Sequence, residues 1–297
     1  NANGSGYASF TFQVQDDGGT ANGGVDLDPV AKTLTVDVTT VNDTPTRTAG
    51  TLTAVNVNED SANSTAVSLG LTGLTYGPGG GADETSQTLT YTITSIPSFI
   101  TLYKADGTQV TTSTTGLTVA DMAGLTYKTV ANGNGTGSIT WTVTDNGTTN
   151  GSSDPKTLTE SLSVTVAAVN DAPVLSGGGT LAAVLEDVTN PSGAALSSLG
   201  ITATDTADSG SIAGYAIVGN AANASTEGAW QYSTDSGTNW SSIGTVADGS
   251  TALALSSSTL VRFVPVANYN GTPTSLTIRA LDNSYVAGFS DRKSTRL

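Results

Sequence analysis

Acidic and amide side chains recur in pairs along this sequence, and their chemistry is that of a hard-cation site. Asn-Asp pairs occur at Asn42-Asp43 and Asn170-Asp171, and a Glu-Asp pair occurs at Glu59-Asp60. Carboxylate and amide oxygens suit Ca²⁺, which takes about six to eight oxygen ligands. Mg²⁺ prefers fewer protein ligands and keeps more water. The pairs therefore favour calcium, provided that the fold brings them together.

The composition excludes several other kinds of chemistry. The chain has no Cys and no His, so disulfides, thiolate metal sites and a histidine general base are all ruled out. It carries 25 acidic against 10 basic residues, a net charge of −15. Such a surface repels nucleic acid and anionic lipid, because binding to both requires Lys and Arg. No apolar run reaches the ~20 residues of a membrane-spanning helix, and no direct membrane insertion is expected.

The elements that must position these residues are predicted to be strands. Apolar residues alternate with Thr, Ser or Gln along several short segments, which is typical of half-buried antiparallel strands. Those segments are Phe10–Val14, Leu34–Val38, Leu89–Ile93, Ile139–Val143, Leu162–Val166 and Leu276–Ile278. Only Val119–Ala123 is expected to make a helical turn. Short strands between Gly, Asn, Asp and Pro clusters indicate an all-β sandwich.

The sequence also repeats itself at about 128 residues. Val36–Pro45 aligns with Val164–Pro173, and 173 − 45 = 128. Trp141–Asp145 also matches Ile278–Asp282, at the larger separation of 282 − 145 = 137. We therefore predict the end of one repeat at 1–44, a complete repeat at 45–172 and most of a further repeat at 173–290.

Residues 291–297 are interpreted as a non-native tail. This segment carries three of the ten basic residues and matches a translation of a common sequencing-adapter sequence. It is left out of the fold prediction.

Strand direction predicts where the acidic residues meet. In a sandwich that the chain enters at one end and leaves at the other, Glu59 and Asp60 lie at the exit end and Asp145 at the entry end. The residues expected at the second junction between repeats are Glu59, Asp60, Asn170, Asp171, Asp205, Asp208 and Asp282. Those expected at the first junction are Asn42, Asp43, Asp83 and Asp145.

A second interpretation of these residues is structural. Asp and Asn are favoured in turns because their side chains bond to nearby backbone, which explains any single one of them. Recurrence between repeats and the predicted convergence favour ligation for the set as a whole. The core of that set is Glu59, Asn170, Asp171, Asp205 and Asp282.

At these positions the chain resembles the bacterial cadherin-like repeats of large RTX-type and biofilm surface adhesins. Val169–Pro173 is similar to the linker of that family, and Val57–Asp60 and Val184–Asp187 look like its early Glu motif. Thr204–Asp208 stands where the family has Asp-x-Asp, with one extra residue. The resemblance covers almost all of residues 1–290.

The resemblance implies tandem Ig/cadherin-like sandwiches that are secreted, anchored at the bacterial cell surface and stiffened by Ca²⁺. Expected partners are neighbouring repeats of the same chain and, for the adhesin, surface or matrix glycans or proteins. Two departures limit the implied site. Ala82-Asp83-Glu84 only approximates the Asp-x-Asp motif, and the Leu-Asp-Arg-Glu motif of animal cadherins is absent.

Two other functions are weighed against a calcium-stabilised spacer. A polysaccharide-active enzyme needs two carboxylates that flank a cleft, whereas these recur with the repeat; no enzyme activity is expected. A carbohydrate-binding module would use Trp230, Tyr232 and Trp240 beside the predicted hairpin. The alternation instead predicts that Trp230 and Tyr232 face the core and that Trp240 pairs across the hairpin.

Overall fold

The fold was analysed in a computed structural model that describes residues 3–208, 210–249 and 251–289 and the backbone of 291–293. The chain divides into two compact units, unit 1 at Asn1–Ala168 and unit 2 at Val169–Leu297. Both consist of strands, so the predicted all-β class is confirmed. The repeat boundaries predicted at 44/45 and 172/173 stay a prediction. In the described part of the chain, no helix has the length and apolar character needed to cross a bilayer.

Unit 1 contains fourteen strands, most of them short. In chain order they are β1 (Gly4–Phe12), β2 (Lys32–Val38), β3 (Thr46–Ala49), β4 (Val55–Asn58), β5 (Val67–Ser68), β6 (Thr75–Gly77), β7 (Leu89–Ser95), β8 (Ile100–Tyr103), β9 (Gln109–Val110), β10 (Thr126–Thr129), β11 (Gly135–Asp145), β12 (Thr148–Thr149), β13 (Ser152–Ser153) and β14 (Thr157–Ala167). Among its described residues, the one α-helix is α1 (Val119–Ala123), and the 3-10 helices are Ala21–Gly23, Glu59–Ser61 and Ala82–Glu84.

Two four-stranded sheets enclose the core of unit 1. One has the order β4-β14-β11-β7 and the other β5-β10-β8-β9. Alternate residues of β11 and β14 point inward and are buried, among them Trp141, Leu162 and Val164. The Trp141 indole N–H donates to the hydroxyl of Tyr76 at 3.1 Å, which satisfies its polar group inside the core. The alternation in the sequence therefore decides which face of each strand is covered.

Helix α1 is the one helical turn that the sequence predicts, and the structure confirms it. The Thr118 hydroxyl accepts from the backbone N–H of Asp121, and the Asp121 carboxylate accepts from the backbone N–H of Thr118. This reciprocal capping box satisfies two backbone donors at the start of the helix. It explains why five residues hold a helical turn in a chain made of strands.

Strands β1 and β2 form an antiparallel hairpin in which Phe10 is paired with Leu34. Its apolar side chains remain open to solvent: Phe10 is 59% exposed and Val36 is 47% exposed. The hairpin therefore has the alternating pattern of a sandwich strand pair, although its apolar face is not covered.

The described residues of unit 2 contain ten strands. They are β15 (Val174–Gly177), β16 (Ala194–Ala195), β17 (Thr202–Thr204), β18 (Ile212–Asn220), β19 (Gly228–Ser233), β20 (Ser241–Ser242), β21 (Ala252–Ser256), β22 (Leu260–Pro265), β23 (Leu276–Asp282) and β24 (Asp291–Lys293). One 3-10 helix lies at Leu196–Ser198. Of the predicted tail, 291–293 form β24, whereas 294–297 lie outside the described residues.

The sheets of unit 2 have the orders β16-β22-β19-β20 and β23-β18-β21-β24. Ile217, Leu255 and Ile243 are fully buried and form its core with Val261. Strand β23 lies at one edge of its sheet, and among the described residues only β18 pairs with it.

Candidate metal centres

The first linker pair, Asn42-Asp43, is held by hydrogen bonds inside unit 1. The Asn42 amide is buried and donates to Oδ1 of Asp145 at 2.8 Å and to the carbonyl of Asp154 at 2.8 Å. Its carbonyl oxygen accepts from the Gln87 amide at 2.7 Å. A Cβ on Gly147 would lie 1.8 Å from that oxygen, so only glycine fits here. The linker asparagine is therefore fixed to the end of β11.

The backbone N–H of Asp43 is held by a second carboxylate. It donates to Oε1 of Glu84 at 2.6 Å. Glu84 ends the 3-10 helix Ala82–Glu84 and is 2% exposed. The linker pair of unit 1 thus brings together two carboxylates, Glu84 and Asp145, from distant parts of the sequence.

Each of these two carboxylates keeps one oxygen that is buried and has no hydrogen-bond partner. They are Oε2 of Glu84 and Oδ2 of Asp145. The other oxygen of Asp145 accepts from Asn42 and from the backbone N–H groups of Gly147 and Lys156. A buried carboxylate oxygen without a partner is costly, and in native proteins it often marks the place of a bound ion or water.

A small polar pocket of about 240 Å³ lies beside these carboxylates. It is lined by Thr40, Asp83, Glu84, Ser86, Gln87, Asn146, Gly147 and Thr148. Asp83 is exposed, and Glu84 is the residue whose carboxylate contacts the linker. We call Asn42, Asp43, Glu84, Gln87 and Asp145 the unit 1 linker cluster.

The second linker pair, Asn170-Asp171, makes the same two contacts in unit 2. The Asn170 amide donates to Oδ2 of Asp282 at 3.0 Å. The backbone N–H of Asp171 donates to Oδ2 of Asp208 at 2.5 Å. Asp282 ends β23 just as Asp145 ends β11. We call Asn170, Asp171, Asp205, Asp208 and Asp282 the unit 2 linker cluster.

Asp205 is the least satisfied carboxylate of that cluster. Both of its oxygens and Oδ1 of Asp208 are buried without a hydrogen-bond partner. Burial, together with the neighbouring charges of Asp282 and Asp208, raises the pKa of Asp205 above its ordinary value. Hydrogen bonds from Ser284 and Asn170 lower the pKa of Asp282. Among the described residues, no Lys or Arg forms an ion pair with Asp205, Asp208 or Asp282.

Gly210 lies against Asp205 in the unit 2 linker cluster. A Cβ there would lie 2.0 Å from Oδ2 of Asp205 and 3.0 Å from Oδ1 of Asn283. The Asn283 oxygen accepts from the backbone N–H of Ser211 at 3.0 Å. Asn283 therefore adds another amide oxygen beside the carboxylates.

The sequence did not single out Glu84, Gln87 or Asn283. A signal for Glu84 is present in the spacing: it follows Asp43 by 41 residues, and Asp208 follows Asp171 by 37. A carboxylate about forty residues after each linker Asp is thus the pattern to search for. No comparable spacing identifies Gln87 or Asn283, since both depend on loop conformation.

Glu59 and Asp60 lie on the 3-10 helix Glu59–Ser61 of unit 1. The Glu59 side chain is fully buried, and its Oε2 accepts from the Asn134 amide at 3.2 Å. Asp60 is exposed. The expected convergence of Glu59 and Asp60 with the second linker pair stays a prediction.

The donor set of each cluster fits a hard cation. All candidate ligand atoms are carboxylate or amide oxygens, and the chain contains no Cys and no His. In the unit 2 linker cluster, Oδ1 and Oδ2 of Asp205 and Oδ1 of Asp208 are buried without a hydrogen-bond partner. In the unit 1 linker cluster, Oε2 of Glu84, Oε1 of Gln87 and Oδ2 of Asp145 are. Such oxygen-only sets suit a hard divalent cation better than a softer transition metal.

The aromatic residues of the predicted hairpin are in structural positions. Trp230 and Tyr232 pack against the core of unit 2, as the alternation predicts. Trp240 precedes β20, and the guanidinium of Arg262 lies 4.0 Å from the centre of its ring. The Trp240 indole N–H donates to the carbonyl of Gly237 at 3.0 Å. The expected cross-strand pairing of Trp240 is thus replaced by a cation–π contact.

Comparison with known proteins gives the sequence no family. No protein-family model matches it, and a search of curated proteins finds no significant match.

Proposed function

We propose that the two linker clusters bind Ca²⁺ and that the chain is a calcium-stabilised spacer segment of a secreted adhesin at the bacterial cell surface. One observation supports calcium most directly. In both units the linker Asn and Asp are hydrogen-bonded to two carboxylates, and carboxylate oxygens at both places are buried without partners. A divalent cation would give those oxygens a partner and offset their mutual repulsion.

The turn interpretation explains less of this arrangement. An Asp in an ordinary turn bonds to backbone two or three residues away, as Asp106 does with the backbone N–H of Thr108 at 2.8 Å. Asp145 and Asp282 also accept from backbone N–H groups two residues away, but the carboxylates of the clusters contact in addition residues 37 to 112 positions away in the sequence. Holding several acidic groups together without a cation costs free energy, which supports a ligand-binding role.

Calcium would act through stability. Without the ion, like charges in each cluster repel one another and weaken the attachment of the linker to its sandwich. An ion that binds only the folded state stabilises it by about 2.7 kcal/mol at a hundredfold excess over Kd. Extracellular calcium modules bind at roughly 10⁻⁴–10⁻³ M, so the site would be filled outside the cell and empty in the cytosol.

The remainder of the surface fits a spacer. The net charge of −15 repels nucleic acid and anionic membranes. Apart from Asp and Glu, the chain carries few charged residues. Cell-surface location and adhesion are proposed from the resemblance to cadherin-like adhesin repeats. In such an adhesin, a different part of the protein would bind the adhesive target.

Thermal unfolding of the whole chain tests calcium binding, and small-angle scattering tests the spacer. We expect millimolar Ca²⁺ to raise the melting temperature by several degrees relative to chelator. In small-angle scattering, we expect Ca²⁺ to narrow the distribution of interatomic distances that the chain samples. Identical melting curves in calcium and chelator would contradict the proposal. Glu59→Gln tests the sequence-based expectation that this residue completes the second site, because it should then weaken calcium binding without altering the fold of unit 1.

A further inference from the structure

We propose that Asn150 is a site of spontaneous covalent modification, at which the Asn150-Gly151 turn is converted into an aspartyl or isoaspartyl linkage and the linker of unit 1 is loosened. The reactants are the Asn150 side-chain amide, the backbone nitrogen of Gly151 and water. No metal ion takes part, so the modification is independent of calcium.

The Asn150-Gly151 step closes the two-residue hairpin between β12 and β13. Thr149 is paired with Ser152, so only Asn150 and Gly151 lie between the two strands. Both turn residues have a positive φ, 50° at Asn150 and 79° at Gly151. This is the conformation of a type I′ turn, in which Asn-Gly is favoured. Both residues are exposed, so water reaches the two reacting groups.

Neither reacting group of this step is held by a hydrogen bond within the part of the chain that the structure describes. The Asn150 side-chain amide has no partner there, and the Gly151 N–H donates to no acceptor. Gly151 also lacks a side chain that would shield its nitrogen. The nitrogen is therefore free to approach Cγ of Asn150 as the exposed turn fluctuates.

The reaction exchanges one C–N bond for another and is completed by hydrolysis. The Gly151 nitrogen loses its proton to solvent base and attacks Cγ of Asn150, the Cγ–Nδ2 bond breaks, and Nδ2 leaves as ammonia. Water then opens the resulting five-membered succinimide at one of its two carbonyl carbons. Attack at Cγ gives an aspartyl linkage, whereas attack at the backbone carbonyl carbon gives an isoaspartyl linkage. Overall, one water is consumed, one ammonia is released and one carboxylate is gained.

The nearby Asn146-Gly147 step has the same dipeptide, but the fold holds both of its reacting groups. The Gly147 N–H donates to Oδ1 of Asp145 at 2.9 Å, and Gly147 is buried. The side-chain oxygen of Asn146 accepts from the backbone N–H of Thr88 at 2.8 Å. Reaction at Asn146 therefore requires these bonds to break first, which the exposed turn does not require.

Two further Asn-Gly steps, Asn132-Gly133 and Asn134-Gly135, are also held. The Gly133 N–H donates to the carbonyl of Val130 at 3.0 Å. The Asn134 amide donates to Oε2 of Glu59 at 3.2 Å. The structure thus separates four steps of identical local sequence into one whose reacting groups are free and three in which at least one is bonded.

The hairpin that carries Asn150 is bonded directly to the linker of unit 1. The Asn150 N–H donates to the carbonyl of Thr40 at 3.0 Å. The Asn42 N–H donates to the Thr149 hydroxyl at 3.0 Å, and that hydroxyl donates to Oδ2 of Asp154 at 2.6 Å. An isoaspartyl linkage adds a methylene group to the main chain, which a two-residue turn cannot absorb without moving these donors. Modification should therefore weaken the contacts that hold Thr40 and Asn42.

Peptide mapping by mass spectrometry tests the modification in the full chain, incubated in heavy-oxygen water at mildly alkaline pH. We expect Asn150 to take up solvent oxygen at least about tenfold faster than Asn146, because the bond between Gly147 and Asp145 must open first. In denaturant the two rates should become similar, since both steps are Asn-Gly. A rate at Asn150 no higher than at Asn146 in the folded chain, or the same ratio in denaturant, would overturn the proposal.

Hydrogen exchange tests the effect on the linker. After incubation, the N–H of Asn42 should exchange at least about fivefold faster than in the fresh wild-type chain. Asn150→Gly is the control, because glycine suits the positive φ of the turn and has no side-chain amide to react. The incubated variant should keep the exchange rate of the fresh chain. Equal exchange at Asn42 in modified and fresh wild type would show that the modification does not loosen the linker and would contradict that part of the proposal.

Discussion

The backbone N–H of Asp171 donates a 2.5 Å hydrogen bond to Oδ2 of Asp208. This bond ties the linker to a loop 37 residues away and leaves Oδ1 of Asp208 buried without a partner. The N–H of Asp43 makes the equivalent bond to Glu84. The linker backbone thus holds one carboxylate oxygen in each unit, while the other oxygen of the same carboxylate is buried without a hydrogen-bond partner.

Asp205→Asn should stabilise the calcium-free chain and weaken calcium binding. The pKa of Asp205 is raised by burial and by Asp282 and Asp208. A carboxyl whose pKa is higher in the folded state makes the folded state less stable as pH rises through that pKa. In chelator at neutral pH the variant should melt higher than wild type, and the difference should vanish as pH falls below about 4.

Calorimetric titration with calcium provides the second half of that test. The variant loses one ligand, so its calcium affinity at unit 2 should fall by about tenfold or more. A variant that is less stable in chelator and binds calcium as wild type does would make Asp205 an ordinary structural residue.

Glu84→Gln and Asp83→Asn are a matched pair in unit 1. Only Glu84 contacts Asp43, and its Oε2 is buried without a partner, whereas Asp83 is exposed. We expect Glu84→Gln to abolish one calcium-binding event in calorimetry and Asp83→Asn to change its affinity by less than about threefold. If Asp83→Asn reduced calcium affinity more than Glu84→Gln did, Asp83 rather than Glu84 would be the calcium ligand.

This pair illustrates how far the sequence predicts the site. The repeat identifies the linker pairs and the Asp that ends the penultimate strand, and the structure brings Asn42 to Asp145 and Asn170 to Asp282. The sequence repeat cannot distinguish Asp83 from Glu84. The 3-10 helix Ala82–Glu84 determines which of these two neighbouring side chains is buried.

The fold is predictable to a similar degree. Period-two alternation predicts the strands and their buried faces, and a Thr-x-x-Asp cap accompanies the one helical turn. The open edge of β23 is not predictable from its local sequence. Leu276 and Ile278 alternate as core residues do, and only the pairing partner determines whether they are covered.

Gly210→Ala tests the close approach in unit 2. Its Cβ would lie 2.0 Å from Oδ2 of Asp205, so the carboxylate must move. We expect calcium affinity at unit 2 to fall at least about tenfold, with the melting temperature in chelator lowered by only a few degrees. Gly178→Ala is the control, since a Cβ there meets nothing within 4 Å. An equal loss in both variants would point to a general effect of the added methyl groups.

Binding of glycans tests the alternative function. Trp230 and Tyr232 pack against the core, and Trp240 is covered by Arg262. We therefore expect no change in tryptophan fluorescence or its quenching when polysaccharides or oligosaccharides are added. A saturable change that Trp240→Ala removes would establish a carbohydrate site beside the hairpin.

Thermal unfolding of the wild-type chain and of Asp171→Ala, each in calcium, magnesium and chelator, tests the central claim most directly. Asp171→Ala removes a cluster carboxylate and keeps the backbone N–H that binds Asp208, and Asp106→Asn serves as an exposed turn control. We predict that calcium raises the melting temperature of the wild type by several degrees, that magnesium does not match this rise, and that Asp171→Ala reduces it while the control retains it. Identical curves in calcium and chelator, or a full calcium response in Asp171→Ala, would contradict calcium binding at the linker of unit 2.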